Sequence, residues 1–244
     1  MKVDCEKFSR AREEALQGEK KLLGIGTLGE GPVHKTLKYY IEPDSAKHEV
    51  SYLGSVADVM NENGIFEIQT RALERLVPKL ERFLKTEKTT VIYPLFSKKY
   101  LIWLDKSTGE LSTPRLSPKH SGPTDSLVEI YKLFRFLENP SFSIVLVFLT
   151  GEEYRLLDGY DKTQHKGATK LDRVPREIVS TMTLSTPADV SALMPDLPHP
   201  FTAREFYKSI GRRGRSAYYA LRALVDIGIV TECGKRRNAK LFNY

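Results

Sequence analysis

Two acidic side chains in the first third of the chain have the spacing of a catalytic pair. Asp58 lies in a stretch of alternating apolar and polar residues, and Glu67 lies in the next such stretch, beyond a turn predicted at 61–64. Because side chains alternate between the two faces of a strand, a hairpin would set Asp58 beside Glu67. Adjoining carboxylates repel one another unless a cation joins them, and such hard oxygen ligands favour Mg²⁺ or Mn²⁺. A solvent-facing sheet surface would show the same alternation of acids.

A helix ahead of these strands carries further polar groups. It is predicted to begin near Pro32, a residue that is tolerated in the first turn, and it sets Glu30, His34 and Lys38 along one face. A row of this kind is either solvated or directed into a site. The glycines at 24–31 do not indicate a phosphate loop, since no strand precedes them and no Gly-Lys-Ser/Thr ending follows.

The elements that follow Glu67 complete a recognisable order. Glu67-Ile68-Gln69 leads into an amphipathic helix and then into a strand predicted at 90–95. The apolar stripe of that helix consists of Leu73, Leu76, Leu80, Phe83 and Leu84. Over residues 23–95, this order of helix, hairpin, helix and strand resembles the core of the PD-(D/E)XK nuclease superfamily, which has a restriction-endonuclease-like fold.

The resemblance implies a role for each acidic residue. Glu30 corresponds to the helix acid of that superfamily, Asp58 to its first catalytic carboxylate, and Glu67-Ile68-Gln69 to its (D/E)-x-K element. The implied ligands of Mg²⁺ or Mn²⁺ are Asp58, Glu67, the Ile68 carbonyl and Glu30, and Gln69 would position the attacking water. The expected activity is that of a metal-dependent DNA endonuclease. The alternative is a regulatory protein that keeps the fold and binds DNA without cutting it.

The sequence departs from that superfamily at two positions. No proline precedes Asp58, and Gln69 stands where a lysine is usual. A lysine ammonium group offsets charge in the transition state, whereas an amide can only orient water by hydrogen bonds. Three alternatives therefore stay open: the metal alone activates the water, a lysine from elsewhere such as Lys38 or Lys79 takes the role, or the site is inactive.

Two other side chains near these acids have more than one possible role. Arg71 could bind the scissile phosphate or form an ion pair with Glu74. His34 could contact phosphate, donate a proton to the leaving oxygen, or be a partly buried histidine bonded to a carbonyl group.

The C-terminal segment carries the whole net charge of the chain. Residues 201–244 hold ten Lys or Arg against three acids, a difference of +7 that equals the formal net charge, so residues 1–200 are neutral on balance. Such a concentration of positive charge is typical of proteins that bind the phosphate backbone, although a solubilising basic surface would have the same composition.

The same segment has the pattern of two helices and a hairpin behind a proline-rich linker. Thr202 with Glu205 predicts a capping box for the first helix, and Ser216 is predicted to cap the second. Strands are predicted at 229–231 and 241–244, joined by basic residues.

This order resembles a winged helix-turn-helix domain, whose second helix enters the major groove and whose wing touches the backbone. The likeness implies DNA contacts from Arg212, Arg213, Arg215, Tyr218, Tyr219, Arg222, Lys235, Arg236, Arg237 and Lys240. A winged helix that makes protein contacts alone remains the alternative. The only segment that could supply the additional leading helix lies at 187–193.

Together these patterns predict an α/β chain in which helices flank a mixed central sheet, followed by a small C-terminal winged-helix domain. The expected units are an N-terminal helical extension at 1–22, a nuclease-like domain at 23–194 and the winged helix at 195–244. Basic loops at 115–120 and 162–170 could line a DNA groove or be solvated surface.

Composition narrows the setting and the class of protein. The chain has no apolar run long enough for a membrane span and no signal peptide, so we expect a cytoplasmic protein with no membrane partner. Its two cysteines, Cys5 and Cys233, are expected to be free thiols. No dinucleotide fingerprint or nucleophile elbow supports a small-molecule enzyme. Cleavage of both DNA strands would favour a homodimer.

Overall fold

A computed structural model of the chain describes residues 2–17, 30–158 and 169–244. The helices are α1 Cys5–Leu16, α2 Pro32–Ile41, α3 Val77–Phe83, α4 Leu127–Ile130, α5 Ala203–Ser209 and α6 Arg215–Asp226. The strands are β1 His48–Tyr52, β2 Ser55–Asn61, β3 Gly64–Ile68, β4 Thr89–Leu104, β5 Arg115–Leu116, β6 Phe142–Leu156, β7 Thr169–Leu184, β8 Phe201–Thr202, β9 Thr231–Arg236 and β10 Ala239–Asn243. Short 3₁₀ helices cover Ser45–Lys47, Leu73–Leu76, Pro123–Ser126, Tyr131–Phe136 and Pro187–Leu193.

A seven-stranded mixed sheet forms the centre of the molecule. Its order is β1-β2-β3-β4-β6-β7, with β5 paired to β4. The β3–β4 and β4–β6 pairs are parallel and the other pairs are antiparallel. The prediction of an α/β chain with helices flanking a mixed central sheet is confirmed.

The β2–β3 hairpin forms where the turn residues predicted it. Asn61 pairs with Gly64 and Val59 pairs with Phe66, a register that sets Asp58 opposite Glu67. Gly64 has a φ of +111°, and a Cβ atom at this position would lie 2.3 Å from the carbonyl oxygen of Lys88. Only glycine fits both conditions, so this residue fixes the close approach of the hairpin to the chain that enters β4.

Strand β4 is longer than the strand predicted at 90–95. It begins at Thr89 and continues without a break to Leu104. A register shift between Phe96 and Lys98 absorbs the polar interruption. Opposite it, Gly151 leaves no room for a side chain, because a Cβ atom there would lie 2.3 Å from the Phe96 ring.

The two faces of the sheet are buried by different helices. Alternate residues of β4 and β6, such as Ile92 and Val147, pack with α1 and α2 through residues that include Phe8 and Leu37. The other alternate set, which includes Val91, Ile144 and Leu146, packs with α3, α4 and the neighbouring 3₁₀ helices. Burial on both faces explains the continuous apolar run in β6.

The C-terminal unit consists of α5, α6 and a three-stranded antiparallel sheet in the order β8-β10-β9. Thr202 and Glu205 form the predicted capping box. The prediction of Ser216 as the cap of α6 was wrong, because the helix already begins at Arg215 after Gly214, whose φ is +83°. The strand predicted at 229–231 was misplaced, because β9 begins only at Thr231 and lies mostly in the segment predicted as the basic connection, whereas the strand predicted at 241–244 overlaps most of β10.

The apolar side of α6 joins the core beneath the central sheet. Ala217, Leu221 and Leu224 belong to the same buried cluster as Leu73 and Phe134. Within the described part of the chain, no helix combines the length and the apolar character needed to cross a bilayer.

Candidate active site

The carboxylates of Asp58 and Glu67 adjoin one another on β2 and β3. The backbone N–H of Asp58 donates to Oε1 of Glu67 at 3.4 Å, and the backbone N–H of Ile68 donates to Oδ2 of Asp58 at 2.7 Å. The predicted hairpin therefore brings the two acids together, at the place in the sheet where antiparallel pairing changes to parallel pairing.

The backbone of β3 also turns a carbonyl group toward this pair. Ile65 and Gln69 donate their N–H groups to carbonyls of the β4 side, at 2.8 and 3.0 Å. Backbone groups alternate in direction along a strand, so those of Ile68 point the other way, toward β2. The Ile68 N–H bond to Asp58 agrees with this direction. The Ile68 carbonyl oxygen thus faces the side of the sheet on which Asp58 lies.

Glu67 is buried and has a lysine partner. Its side chain is 1% exposed, and Oε2 accepts a hydrogen bond from Nζ of Lys79 at 2.6 Å. Burial and the negative charge of Asp58 raise the pKa of Glu67 to about 7, against the opposing effect of Lys79. Lys79 comes from α3 and its side chain is 19% exposed. The structure therefore brings one of the two lysines proposed from the sequence onto the acid pair.

Asp58 has the opposite electrostatic balance. Burial alone would raise the pKa of this carboxyl, but hydrogen bonds and charge from His34 and the Ile68 N–H outweigh it, so the pKa lies below 3.8. Nε2 of His34 lies 3.2 Å from Oδ2 of Asp58, and Nδ1 contacts Oε1 of Glu30. His34 thus bridges two carboxylates, and it is bonded to no carbonyl group in the part of the chain that the structure describes.

Lys38 lies on the same side of α2 as His34, but it forms ion pairs with acids other than Asp58 and Glu67. Its ammonium nitrogen lies 2.7 Å from Oε2 of Glu30 and 2.6 Å from Oε1 of Glu49, and the side chain is 6% exposed. Lys38 is held at the edge of the cluster by these two acids, whereas Lys79 contacts the buried carboxylate directly.

Gln69 and Arg71 lie at the open side of the cluster. The amide of Gln69 donates to the carbonyl of Arg71, so its side chain is turned along the chain. Glu74 forms an ion pair with Lys132 at 2.8 Å, and the pair with Arg71 that the sequence allowed is not formed. Arg71 lines a cleft of about 500 Å³ together with His34.

The donor set suits a small divalent cation that keeps part of its water. Two adjoining carboxylates and one carbonyl oxygen are hard ligands, and Mg²⁺ commonly binds through one or two carboxylates with water in the remaining positions. Glu30 lies next to this set, because the His34 ring contacts both Glu30 and Asp58. Among the described residues, no three His, Cys, Asp or Glu side chains are arranged as a complete metal-ligand group.

The cleft beside the acids includes residues that sequence reasoning did not assign to the site. Glu153 of β6 and Asp172 and Arg173 of β7 line it with Lys170, which was predicted only as part of a basic loop. Most of that loop lies outside the described residues. Alternation along β6 could have indicated Glu153, because it continues the phase of buried Leu149.

The predicted DNA-binding side chains of the C-terminal unit are all exposed. Tyr218 and Tyr219 are 55% and 50% exposed on α6. Three of the cations are held by acids, in the pairs Arg222–Asp226, Arg236–Glu205 and Lys240–Glu232. The described parts of the chain contain no ion pair of Arg212, Arg213, Arg215, Lys235 or Arg237.

Comparison with known proteins gives a family and a relative. A family model described as a domain of unknown function (DUF8091) matches residues 31–185, well over half of the chain. An uncharacterized protein of Treponema pallidum (strain Nichols) is 29% identical over 220 residues, which span 89% of this chain and 86% of that protein. No solved structure matches the chain significantly. The matched family region contains Asp58, Glu67 and Lys79 and ends before the C-terminal unit.

Proposed function

We propose that this chain, which belongs to the DUF8091 family, is a divalent-metal-dependent nuclease of the PD-(D/E)XK type that hydrolyses phosphodiester bonds in DNA. One observation carries the proposal: Asp58 and Glu67 adjoin across β2 and β3, and the buried Glu67 has a pKa raised to about 7. A buried carboxylate pair destabilises a fold, and such perturbed acids concentrate at functional sites. The order of the elements that present these acids supports the resemblance to the superfamily's core.

The metal requirement follows from the donors. Mg²⁺ or Mn²⁺, held by Asp58, Glu67 and the Ile68 carbonyl with Glu30 nearby, would polarise the scissile phosphate and favour deprotonation of the attacking water. Asp58 and Glu67 would bind and orient the ion. The Ile68 N–H holds Asp58 in place for this role, since it fixes one carboxylate oxygen at 2.7 Å.

Lys79 is the residue that we propose for the role of the superfamily's lysine. The usual position is occupied by Gln69, whose amide cannot supply positive charge. Lys79 reaches Glu67 from the following helix, at 2.6 Å. Its ammonium group can offset the negative charge that develops on the phosphate, and it can move between Glu67 and substrate because its side chain is not fully buried.

His34 and Arg71 would act on the substrate side of the acids. His34 contacts Asp58 and lines the cleft, so it can hold a proton beside the leaving oxygen. Arg71 lines the same cleft and forms no ion pair with any described acid, which leaves its guanidinium group free to bind phosphate.

The C-terminal unit would hold the DNA. Its order of 3₁₀ helix, strand, two helices and hairpin, with β8 completing the three-stranded sheet, supports assignment as a winged helix-turn-helix domain. Arg215 and Tyr218 on the exposed side of α6, together with Lys235 and Arg237 on the hairpin, supply cations and aromatic surface for a DNA groove.

A regulatory protein without catalysis is the second candidate. It is favoured by the side chain of Gln69, which is turned onto the Arg71 carbonyl and away from the acids. In that case Lys79 would serve only to neutralise Glu67, and the chain would bind DNA without cutting it.

Cleavage assays separate the two candidates. Plasmid, branched and single-stranded DNA are incubated with the protein in Mg²⁺, in Mn²⁺ or in EDTA, beside Asp58→Asn, Lys79→Met and the control Glu110→Gln, an exposed acid of the turn after β4. The nuclease proposal predicts metal-dependent cleavage that Asp58→Asn lowers by at least about 100-fold and Glu110→Gln leaves unchanged. Lys79→Met is expected to lose about 100-fold as well. Absence of metal-dependent cleavage on every substrate, or cleavage that survives Asp58→Asn, would refute it.

A further inference from the structure

One lysine from each of the two basic segments singled out in the sequence lines the same cleft. Lys119, from the loop at 115–120, and Lys170, from the loop at 162–170, line a depression of about 490 Å³. Three further cations line it, Lys99, Arg155 and Arg173, and no acidic residue is among those of the described residues that line it. Five positive charges around one concave space form a strong attraction for an anion.

A buried acid holds three of these cations in place. Glu153 is fully buried, and Lys99, Arg155 and Arg173 bond to its carboxylate at 2.7, 2.8 and 3.0 Å. Burial would raise the pKa of Glu153, but these cations outweigh it and lower the pKa to about 2. The single carboxylate of Glu153 therefore holds three cations, and the excess positive charge of these cations faces the cleft.

The excess positive charge also affects the pKa of one of these cations. Burial lowers the pKa of Lys99, and the positive charges of Arg173 and Lys170 lower it further, against the effect of Glu153. Lys119 and Lys170 form no ion pair with any acid in residues 2–17, 30–158 and 169–244. An anion that entered the cleft would relieve this repulsion.

The basic cleft is continuous with the cleft beside the acid cluster. It shares Thr70, Lys170 and Arg173 with the cleft that is lined by His34 and Arg71. A chain of phosphates could therefore pass from His34, which contacts Asp58, along Arg71 to the cations around Glu153.

We propose that this cleft binds backbone phosphates of a single-stranded segment next to the scissile bond, with Lys119 and Lys170 as the contacting cations. The inference rests on the proposed nuclease function and adds a substrate class to it. The opening is concave and its deeper cations are recessed, since the side chain of Lys99 is 12% exposed. The backbone of an unpaired strand can bend into such a space, whereas phosphates on the convex surface of a duplex cannot.

Binding measured without metal tests this inference independently of cleavage. Fluorescence anisotropy in EDTA follows a labelled single-stranded 12-mer and a blunt duplex of the same length across a salt series. The test variant is Lys119→Gln/Lys170→Gln, which leaves the cations on Glu153 untouched. Its matched control is Lys85→Gln/Lys106→Gln, which removes the same charge from exposed positions elsewhere. Melting temperatures check the fold, and the two single variants carry the test if the double variant is unstable.

The test variant is expected to lose about 25-fold in affinity for the single strand at about 0.1 M salt, or about 5-fold for each lysine, and its salt slope should fall by about 1.4. The control pair should change single-strand binding by less than about 3-fold. Equal losses for both pairs, or no loss for the test pair, would overturn the proposal. So would an equal loss for the duplex.

Inorganic phosphate provides a separate arm. If millimolar phosphate raises the melting temperature through Lys119 and Lys170 while single-strand binding is unchanged in the variant, the cleft serves a small phosphate compound and the proposal fails. A chain that binds single strands through these lysines but cuts no DNA would instead refute the nuclease function alone.

Discussion

Replacing Glu67 with Gln tests the electrostatics on which the candidate site depends. The pKa of this carboxyl is about 7 in the folded chain against an ordinary value of 4.5. Between about pH 5 and 7 the unfolded chain has largely released this proton while the folded chain largely holds it, and by pH 8 both states have released it. The folded state therefore binds more protons, and the free energy of unfolding falls as pH rises.

The size of the effect follows from the two pKa values. Integration from pH 5 to pH 8 gives a loss of about 2 to 3 kcal/mol in the wild-type chain that Glu67→Gln should not show. The variant also leaves Lys79 without its partner, which shifts its stability by an amount that is nearly constant over this pH range. The slope therefore reports on Glu67 and the offset on Lys79.

Urea unfolding in EDTA at several pH values measures this slope. Asp58→Asn is the contrasting variant, because the pKa of Asp58 is lowered from 3.8 and its stabilising charge is complete by pH 5. Asp58→Asn should make the slope between pH 5 and 8 shallower without abolishing it, because burial still raises the pKa of Glu67 whereas the contribution of the negative charge of Asp58 is removed. Addition of Mg²⁺ should stabilise the wild-type chain at pH 8 and should have little effect on Glu67→Gln. Parallel curves for wild type and Glu67→Gln would show that the reasoning about this carboxyl is wrong.

Two further predictions concern the hairpin and the C-terminal unit. Gly64→Ala should lower the free energy of unfolding by more than about 2 kcal/mol, since the added methyl group meets the Lys88 carbonyl; urea unfolding should show a clearly smaller loss for Gly109→Ala, which has open space. Arg215→Ala/Arg237→Ala should weaken duplex DNA binding at all sequences and reduce the salt slope by about 2. Anisotropy titrations check this, and an equal loss for Arg222→Ala, whose side chain is held by Asp226, would contradict it.

The acid pair could be predicted because its signals are local. The turn ending at Gly64 fixes the register of a two-stranded hairpin, and the period of two along each strand then sets Asp58 beside Glu67. For the lysine that acts beside these acids, the sequence left two candidates. Which of Lys38 and Lys79 reaches Glu67 depends on how α2 and α3 pack on opposite faces of the sheet, and no short-range pattern encodes that packing.

The basic cleft as a whole could not be predicted from the sequence, for a similar reason. Its cations come from β4, β6, β7 and the segment after β5, which are separated by long stretches of chain. Strand β7 was not predicted at all, because much of its surface is exposed and its polar residues do not alternate regularly with apolar ones. Because β7 was not predicted, the contact between Arg173 on this strand and Glu153 on β6 could not be predicted either.

The shared core of the C-terminal unit has a consequence for how substrate would be presented. Because α6 packs in the same apolar cluster as α3 and α4, the exposed side of α6 and the carboxylates of the sheet belong to one cooperative body. We expect the two to unfold together in a single transition, and removal of residues 195–244 would uncover apolar side chains such as Phe134. A duplex gripped by α6 would meet Asp58 and Glu67 at one fixed span, so the cut would fall at a constant number of base pairs from the gripped segment.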